Sequence, residues 1–338
     1  MTFSSIIGQT KAKARLVTAL LGTPGHAYAF AGPDGIGKTF LARKFAQALL
    51  CRQSGKDGAC GRCPSCRHFD HGVHPDYREL QIEPKEKNIK IDRVRQTVCR
   101  DVDLRPQFGD RKVYLLAADH LNEQGQNALL KTLEEPPEYC FFLLTIVGPE
   151  RLLPTILSRV NLVALQRYTP DEILAILDKN GIEAGEKAAF YSRFSGGLGG
   201  VALELASTQA FHDLRQETLA FFKHIGRRTR AELLTQDYRF FESNREATPM
   251  IFNILGSLIR DQLVFALSRN HSLITNQDQI SLLKSGLVAN TKPREAADRL
   301  TAAYGALLAA RRGLTLNASY EGLVCNLLLN LRKELHYA

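Results

Sequence analysis

No apolar run in this 338-residue sequence approaches the ~18 residues of a membrane-spanning helix, and the longest, Phe141–Val147, has the length of a buried strand. The N-terminal stretch Met1-Thr-Phe-Ser-Ser-Ile-Ile-Gly-Gln has neither the charged start nor the apolar core of a secretion signal. Secretion and membrane insertion are therefore not expected, and the cytoplasm is. Internal repeats and low-complexity tracts are also lacking. With 44% apolar and 23% charged residues, the composition is that of a folded globular chain, not a disordered or fibrous one. Nor is there an even set of cysteines. Of seven, Cys51, Cys60, Cys63 and Cys66 crowd together, while Cys99, Cys140 and Cys325 are scattered. An odd count without a secretion signal implies reduced thiols and one metal site, not a disulfide framework.

The length is that of two or three domains. The net charge of +9 favours polyanions, nucleic acid being the usual one, although a generally basic surface would give the same sum. Short apolar runs alternating with helical stretches in the first half predict a parallel sheet with crossover helices. Strands are expected at Ala27–Phe30, Lys112–Ala118 and Phe141–Val147, and helices at Lys38–Leu50, Glu123–Leu133 and Leu153–Arg159. The polar segment Arg52–Pro75 reads as an insertion. At Thr169-Pro170-Asp171-Glu172 a capped helix begins and the strand signal fades. Gly196–Gly200 fits a helix–helix turn, and from about Phe211 apolar residues recur at helical spacing, as in Leu300, Tyr304, Leu307 and Leu308. The expected organisation is α/β plus all-α: an α/β domain at 1–166 with an insertion at 51–66, a small helical domain at 167–208, and a larger helical domain at 209–338.

Gly32-Pro-Asp-Gly35-Ile36-Gly37-Lys38-Thr39 matches the G-x-x-x-x-G-K-[ST] phosphate loop. Its glycines let successive N–H groups turn toward phosphate oxygens, and the following helix adds its positive end. Lys38 would reach the β- and γ-phosphates of ATP, and Thr39 would ligate Mg²⁺. Cys51-x8-Cys60-x2-Cys63-x2-Cys66 offers four thiolates at knuckle spacing, suited to structural zinc; an iron–sulfur cluster is the alternative. The segment has almost no apolar residues, so metal rather than a core is expected to hold it together. His68, His71 and His74 read as ordinary polar or surface residues. The basic residues Arg93, Arg95, Arg100 and Arg105 fit either a solvated face or a track for a DNA backbone.

His26-Ala-Tyr-Ala-Phe-Ala-Gly-Pro-Asp-Gly-Ile-Gly-Lys-Thr39, the four-cysteine insertion, Asn127-Ala-Leu-Leu-Lys-Thr-Leu-Glu-Glu-Pro-Pro137 and Thr155-Ile-Leu-Ser-Arg159 together resemble the clamp-loader branch of the AAA+ ATPases. The resemblance covers residues 1 to about 205. It implies an AAA+ phosphate-loop domain, a small helical lid and a C-terminal helical collar. It further implies membership of a bacterial hetero-pentamer, with motor subunits and a clamp-opening subunit, that opens a sliding clamp and places it on primed DNA at the replication fork.

Motor subunits of that family need a carboxylate pair after the strand preceding Asn127, one for Mg²⁺ and one to polarise water. Counting back from Asn127 puts these roles on Leu116 and Ala117; counting along the strand puts them on Ala117 and Ala118. Asp119 lies near enough to serve Mg²⁺ if the register slips. Two further positions that are polar in motors fall on Val147 and Gly200. The expected function is thus a non-hydrolysing subunit that retains the phosphate loop and supplies Arg159 as an arginine finger to a neighbour's ATP. An active motor ATPase is the alternative. A nucleotide kinase would leave the cysteine loop unexplained, and a free-standing zinc DNA-binding module lacks a recognition helix.

Overall fold

The computed structural model describes residues 2–83, 86–268, 273–316 and 318–336. The chain divides into two compact units, Met1–Ile176 with Gly196–Val201, and Leu177–Ser195 with Ala202–Ala338.

The first unit is built on five parallel strands: β1 (Ala27–Ala31), β2 (Tyr77–Leu80), β3 (Lys112–Ala117), β4 (Cys140–Ile146) and β5 (Asn161–Ala164), in the order β2-β3-β4-β1-β5. The three inner strands are buried along their whole length, which is why they read as continuous apolar runs. Alternation divides their side chains between two cores. Val113, Leu115, Phe141 and Leu143 face one side, with Leu41, Phe45 and Leu49 of α2 (Lys38–Leu50) and Leu16 of α1 (Thr10–Leu21). Tyr114, Leu116, Phe142 and Leu144 face the other, with Val94 of α4 (Ile91–Val94) and Leu129 and Leu133 of α5 (Glu123–Glu134).

The sequence predicts three strands, and the structure adds two. Both additions are edges: β2 buries only Leu80, and β5 only Val163. A strand bonded on one side and half exposed has no apolar run to reveal it. The insertion also differs from expectation. It contains α3 (Pro64–Asp70), and Cys51, Ala59, Cys63 and Cys66 are buried in the first core. Phe69 packs against Tyr77 at 4.7 Å between ring centroids. The segment therefore has an apolar footing as well as its thiols.

The helix expected at Leu153–Arg159 is a single turn, α6 (Pro154–Leu157). The start of α7 (Pro170–Lys179) is closed reciprocally, with Thr169 N–H donating to Glu172 Oε2 and Glu172 N–H to Thr169 Oγ1. Gly196 and Gly197 take left-handed conformations between α8 (Glu186–Phe194) and α9 (Gly199–Ser207).

The second unit is helical. Its longer helices are α10 (Gln209–His224), α13 (Thr248–Ser268), α16 (Pro293–Thr315) and α17 (Tyr320–Leu335), with short α11 (Arg230–Glu232), α12 (Tyr238–Ser243), α14 (Ile280–Leu283) and α15 (Leu287–Asn290) between them. Leu300 and Leu307 are buried as their spacing predicts, whereas Tyr304 and Leu308 remain exposed. By length and composition one described helix, Arg245–Ser268, could cross a membrane. Its Ile251, Phe252, Ile254, Leu255, Leu258 and Ile259 are buried within this unit.

Candidate functional site

β1 lies between β4 and β5, so its connection leaves the sheet where strand order reverses, the usual place for a ligand in an open parallel sheet. The loop from Gly32 to Gly37 emerges at that point. Gly32 N–H donates to the Ile146 carbonyl, fastening the loop to β4, and Ile36 is buried beneath it. Gly35 (φ 77°) and Gly37 (φ 99°) adopt conformations that side chains rarely allow, and Gly37 caps α2. Lys38 is buried, its Nζ donating to the Gly32 carbonyl at 2.6 Å and to Asp34 Oδ1 at 2.9 Å. The ammonium is thus held at the mouth of its own loop. The Asp34 side chain is 90% exposed, so this half of the lysine's pairing is open to solvent.

The positions expected to carry the hydrolytic carboxylates lie at the end of β3 and in the turn after it. β3 ends at Ala117, and the next residue, Ala118, is buried in a short 3-10 turn. Leu116 and Ala117 are thus the last two residues of the strand, and Ala118 is the first beyond it. Asp119 points its Oδ1 at Val147 N–H, 2.7 Å away, where it ties the end of β4 to the turn after β3. Gly200 N–H donates to the Gly35 carbonyl at 2.7 Å. A Cβ at Gly200 would lie 3.0 Å from that oxygen and 3.1 Å from Gly35 Cα, so the start of α9 sits on the phosphate loop with no room for a side chain.

Two residues outside the expected set reinforce this corner. Gln9, with φ 51°, exchanges two hydrogen bonds with the backbone of Gln166, one donated by Nε2 (2.6 Å) and one accepted by Oε1 (2.9 Å). Tyr168 N–H donates to the Gly197 carbonyl, and burial raises the Tyr168 phenol above its ordinary pKa. The only local sign of this clasp in the sequence is Gly8-Gln9; its partners are more than 150 residues away.

Arg159 stands just beyond α6. Its Nη1 donates to the Thr155 carbonyl (2.7 Å) and to Ser158 Oγ (3.2 Å), and its Nη2 lies 2.9 Å from Glu134 Oε1 at the end of α5. Gln126 braces the two helices: its Oε1 accepts from Leu153 N–H, and its Nε2 donates to the Arg151 carbonyl. Of the four basic candidates for DNA contact, Arg93 is paired with Glu83 and Glu86, and Arg95 lies 3.9 Å from Asp92. Arg100 and Arg105 are exposed.

The far end of α2 leads directly into the cysteines. Cys51 and Cys63 sulfurs are 3.9 Å apart, Cys60 and Cys66 sulfurs 4.0 Å apart, and all four lie within 4.8 Å of one another. A tetrahedral ion with bonds of about 2.3 Å would space its sulfurs by about 3.8 Å. Backbone N–H groups aim at the sulfurs, with Gln53 and Cys60 donating to Cys51, Cys63 to Cys60, and Cys66 to Cys63. The N–H groups around Cys60, Arg62 foremost, bring its thiol down to about 6, while burial pushes Cys51 and Cys66 up. The four cysteines can hold a metal ion, and their donor set suits zinc.

His74 is no surface residue. It is buried and receives Asp76 N–H on Nδ1, which leaves the Nε2 proton of the neutral ring to donate to Ser65 Oγ at 3.0 Å. Ser65 in turn donates to the Leu50 carbonyl at 2.7 Å. This relay pins the cysteine helix α3 to the last turn of α2, and burial lowers the His74 pKa from 6.5.

The family model described as DNA polymerase III, delta subunit, matches residues 8–169. The delta-prime subunit of Escherichia coli DNA polymerase III is 30% identical over 321 residues, covering 92% of this chain and 89% of that one. The chain belongs to the DNA polymerase III delta-prime family. The delta-prime subunit of Pseudomonas aeruginosa is 43% identical over 167 residues, so that match spans about half of each protein, 46% of this chain and 51% of the relative. The tau subunit of Bacillus subtilis is 36% identical over 180 residues, 52% of this chain and 31% of tau. The tau and P. aeruginosa matches each cover about half of this chain, whereas the E. coli delta-prime match, at 92%, takes in most of the helical second unit as well.

Proposed function

We propose that this chain is a non-hydrolysing subunit of a bacterial replicative clamp loader, acting in the cytoplasm at the replication fork. In this reading, residues 1–166 form an AAA+ phosphate-loop domain, 167–208 a lid, and 209–338 a collar joining it to motor and clamp-opening subunits. The assembly would open a sliding clamp and load it on primed DNA. One structural zinc fills Cys51, Cys60, Cys63 and Cys66. ATP with Mg²⁺ binds through Gly32, Gly35, Ile36, Gly37, Lys38 and Thr39 without turnover.

The observation that carries the reading is a complete phosphate loop on a sheet whose β3 ends in buried Ala117 and Ala118, where a motor needs carboxylates. The active-motor alternative would depend on Asp119, whose carboxylate is engaged with Val147 N–H. Arg159 is the trans-acting group: a guanidinium is planar, permanently charged and able to form paired hydrogen bonds to a γ-phosphate. Such fingers are worth about 10³–10⁵ in rate at the site they serve.

The test is Arg159→Ala in the reconstituted complex. Folding, metal content and assembly should be unchanged, bulk ATPase should fall in part because other sites keep their own fingers, and clamp loading should fall further. Normal rates for both would make Arg159 a surface arginine.

A further inference from the structure

The Arg159 guanidinium is held on two sides. One nitrogen is engaged with the Thr155 carbonyl in α6 and the Ser158 hydroxyl just after it, and the other lies 2.9 Å from Glu134 Oε1. Glu134 is the last residue of α5, where the helix dipole already places partial negative charge. A carboxylate is electrostatically misplaced there unless a cation faces it, and Arg159 is the cation that does. The distance between the two side chains is set by buried structure, because Gln126 in α5 bonds both Arg151 and Leu153 on the approach to α6.

We propose that Glu134 is a positioning residue for Arg159, keeping the guanidinium in a single orientation at the edge of the domain. The proposal rests on the trans role argued above and deepens it. A free arginine side chain samples many rotamers, and each misaligned one is useless to a transferring phosphoryl group. A carboxylate on one side of the planar fork removes most of that freedom and leaves the guanidinium able to donate elsewhere to phosphate oxygens. Both side chains are partly exposed, 35% for Arg159 and 47% for Glu134, so the pair orders the finger without burying it and adds little to stability.

The experiment compares Arg159→Ala, Glu134→Gln and the double variant with the unaltered chain, each assembled into the complete complex, measuring kcat and KM for ATP. Melting temperature and zinc content report folding. Glu134→Gln keeps size and polarity while losing charge. It should remove roughly half to four-fifths of the rate that Arg159→Ala removes, the two- to fivefold loss expected when one exposed ion pair is broken. KM should stay constant, and the double variant should equal Arg159→Ala alone. If Arg159→Ala slows the complex but Glu134→Gln does not, the positioning role is overturned and the finger stands. A further loss on adding Glu134→Gln to Arg159→Ala would overturn it as well, because Glu134 would then act elsewhere. Should Arg159→Ala itself be without effect, both readings fall.

Discussion

At its N-terminal end α2 receives a loop that closes on itself, whereas its C-terminal end leads into four sulfurs that face one another. Lys38 satisfies the first loop internally, through Gly32 and Asp34, and Gly200 lies on top of it. The cysteines have no such self-sufficiency. Cys60 is brought toward thiolate form by its surroundings, whereas burial opposes ionisation at Cys51 and Cys66. Four thiolates at such distances repel one another unless a cation joins them. The contrast separates two kinds of loop: one is held by its own glycines and lysine, and the other combines an apolar footing with four thiols gathered at metal-binding distance.

The largest effect that sharpens this contrast is metal removal. Structural zinc contributes about 10–16 kcal/mol of apparent binding free energy to small zinc-dependent folds. Cys63→Ser, or chelation, should therefore raise hydrogen exchange across 51–74 while the inner strands stay protected. Equal loss of protection in β1, β3 and β4 would show that the insertion is not a separate element.

At the other end, Gly200→Leu forces a side chain against Gly35, where even a Cβ would lie 3.0 Å from backbone. We expect a cost of about 1–3 kcal/mol, read as a lower denaturant midpoint. No change would mean that the start of α9 lifts freely from the loop.

Ser65→Ala breaks the relay between His74 and Leu50, leaving buried groups unpaired at a cost of about 1–3 kcal/mol. The same relay gives a pH dependence. His74 has a folded pKa below 6.5, so its contribution is complete above 6.5. As the pH falls below 6.5 the unfolded chain takes up a proton that the folded chain does not, and stability drops until the folded pKa is passed. His74→Gln should flatten that slope in a urea titration.

The smallest effect is at Asp34. Its exposed ion pair with Lys38 competes with a phosphate, so Asp34→Ala should tighten ATP binding by roughly two- to fivefold in calorimetry. Weaker binding would assign Asp34 a part in holding the loop open.

What could be read from the sequence follows from how local each signal is. The phosphate loop, the cysteine knuckles and the cap at Thr169 depend on spacings of a few residues. The three inner strands are buried on both faces and so carry unbroken apolar runs. The edge strands β2 and β5, with one buried residue each, carry none. His74 looks like any polar residue because its burial depends on α3 folding back against α2. The Gln9–Gln166 clasp and the Glu134–Arg159 pair are tertiary, and no spacing announces them. The two counts for the carboxylate positions differ by one residue because the sequence does not mark the end of β3, which falls at Ala117.

In the reading proposed above, this chain keeps a nucleotide loop without nucleotide chemistry of its own. Steady-state ATP hydrolysis by the isolated, zinc-loaded chain, alongside its Lys38→Ala variant, tests it most directly. No turnover above background is expected for either protein. Turnover comparable to a working ATPase, abolished by Lys38→Ala, would contradict it.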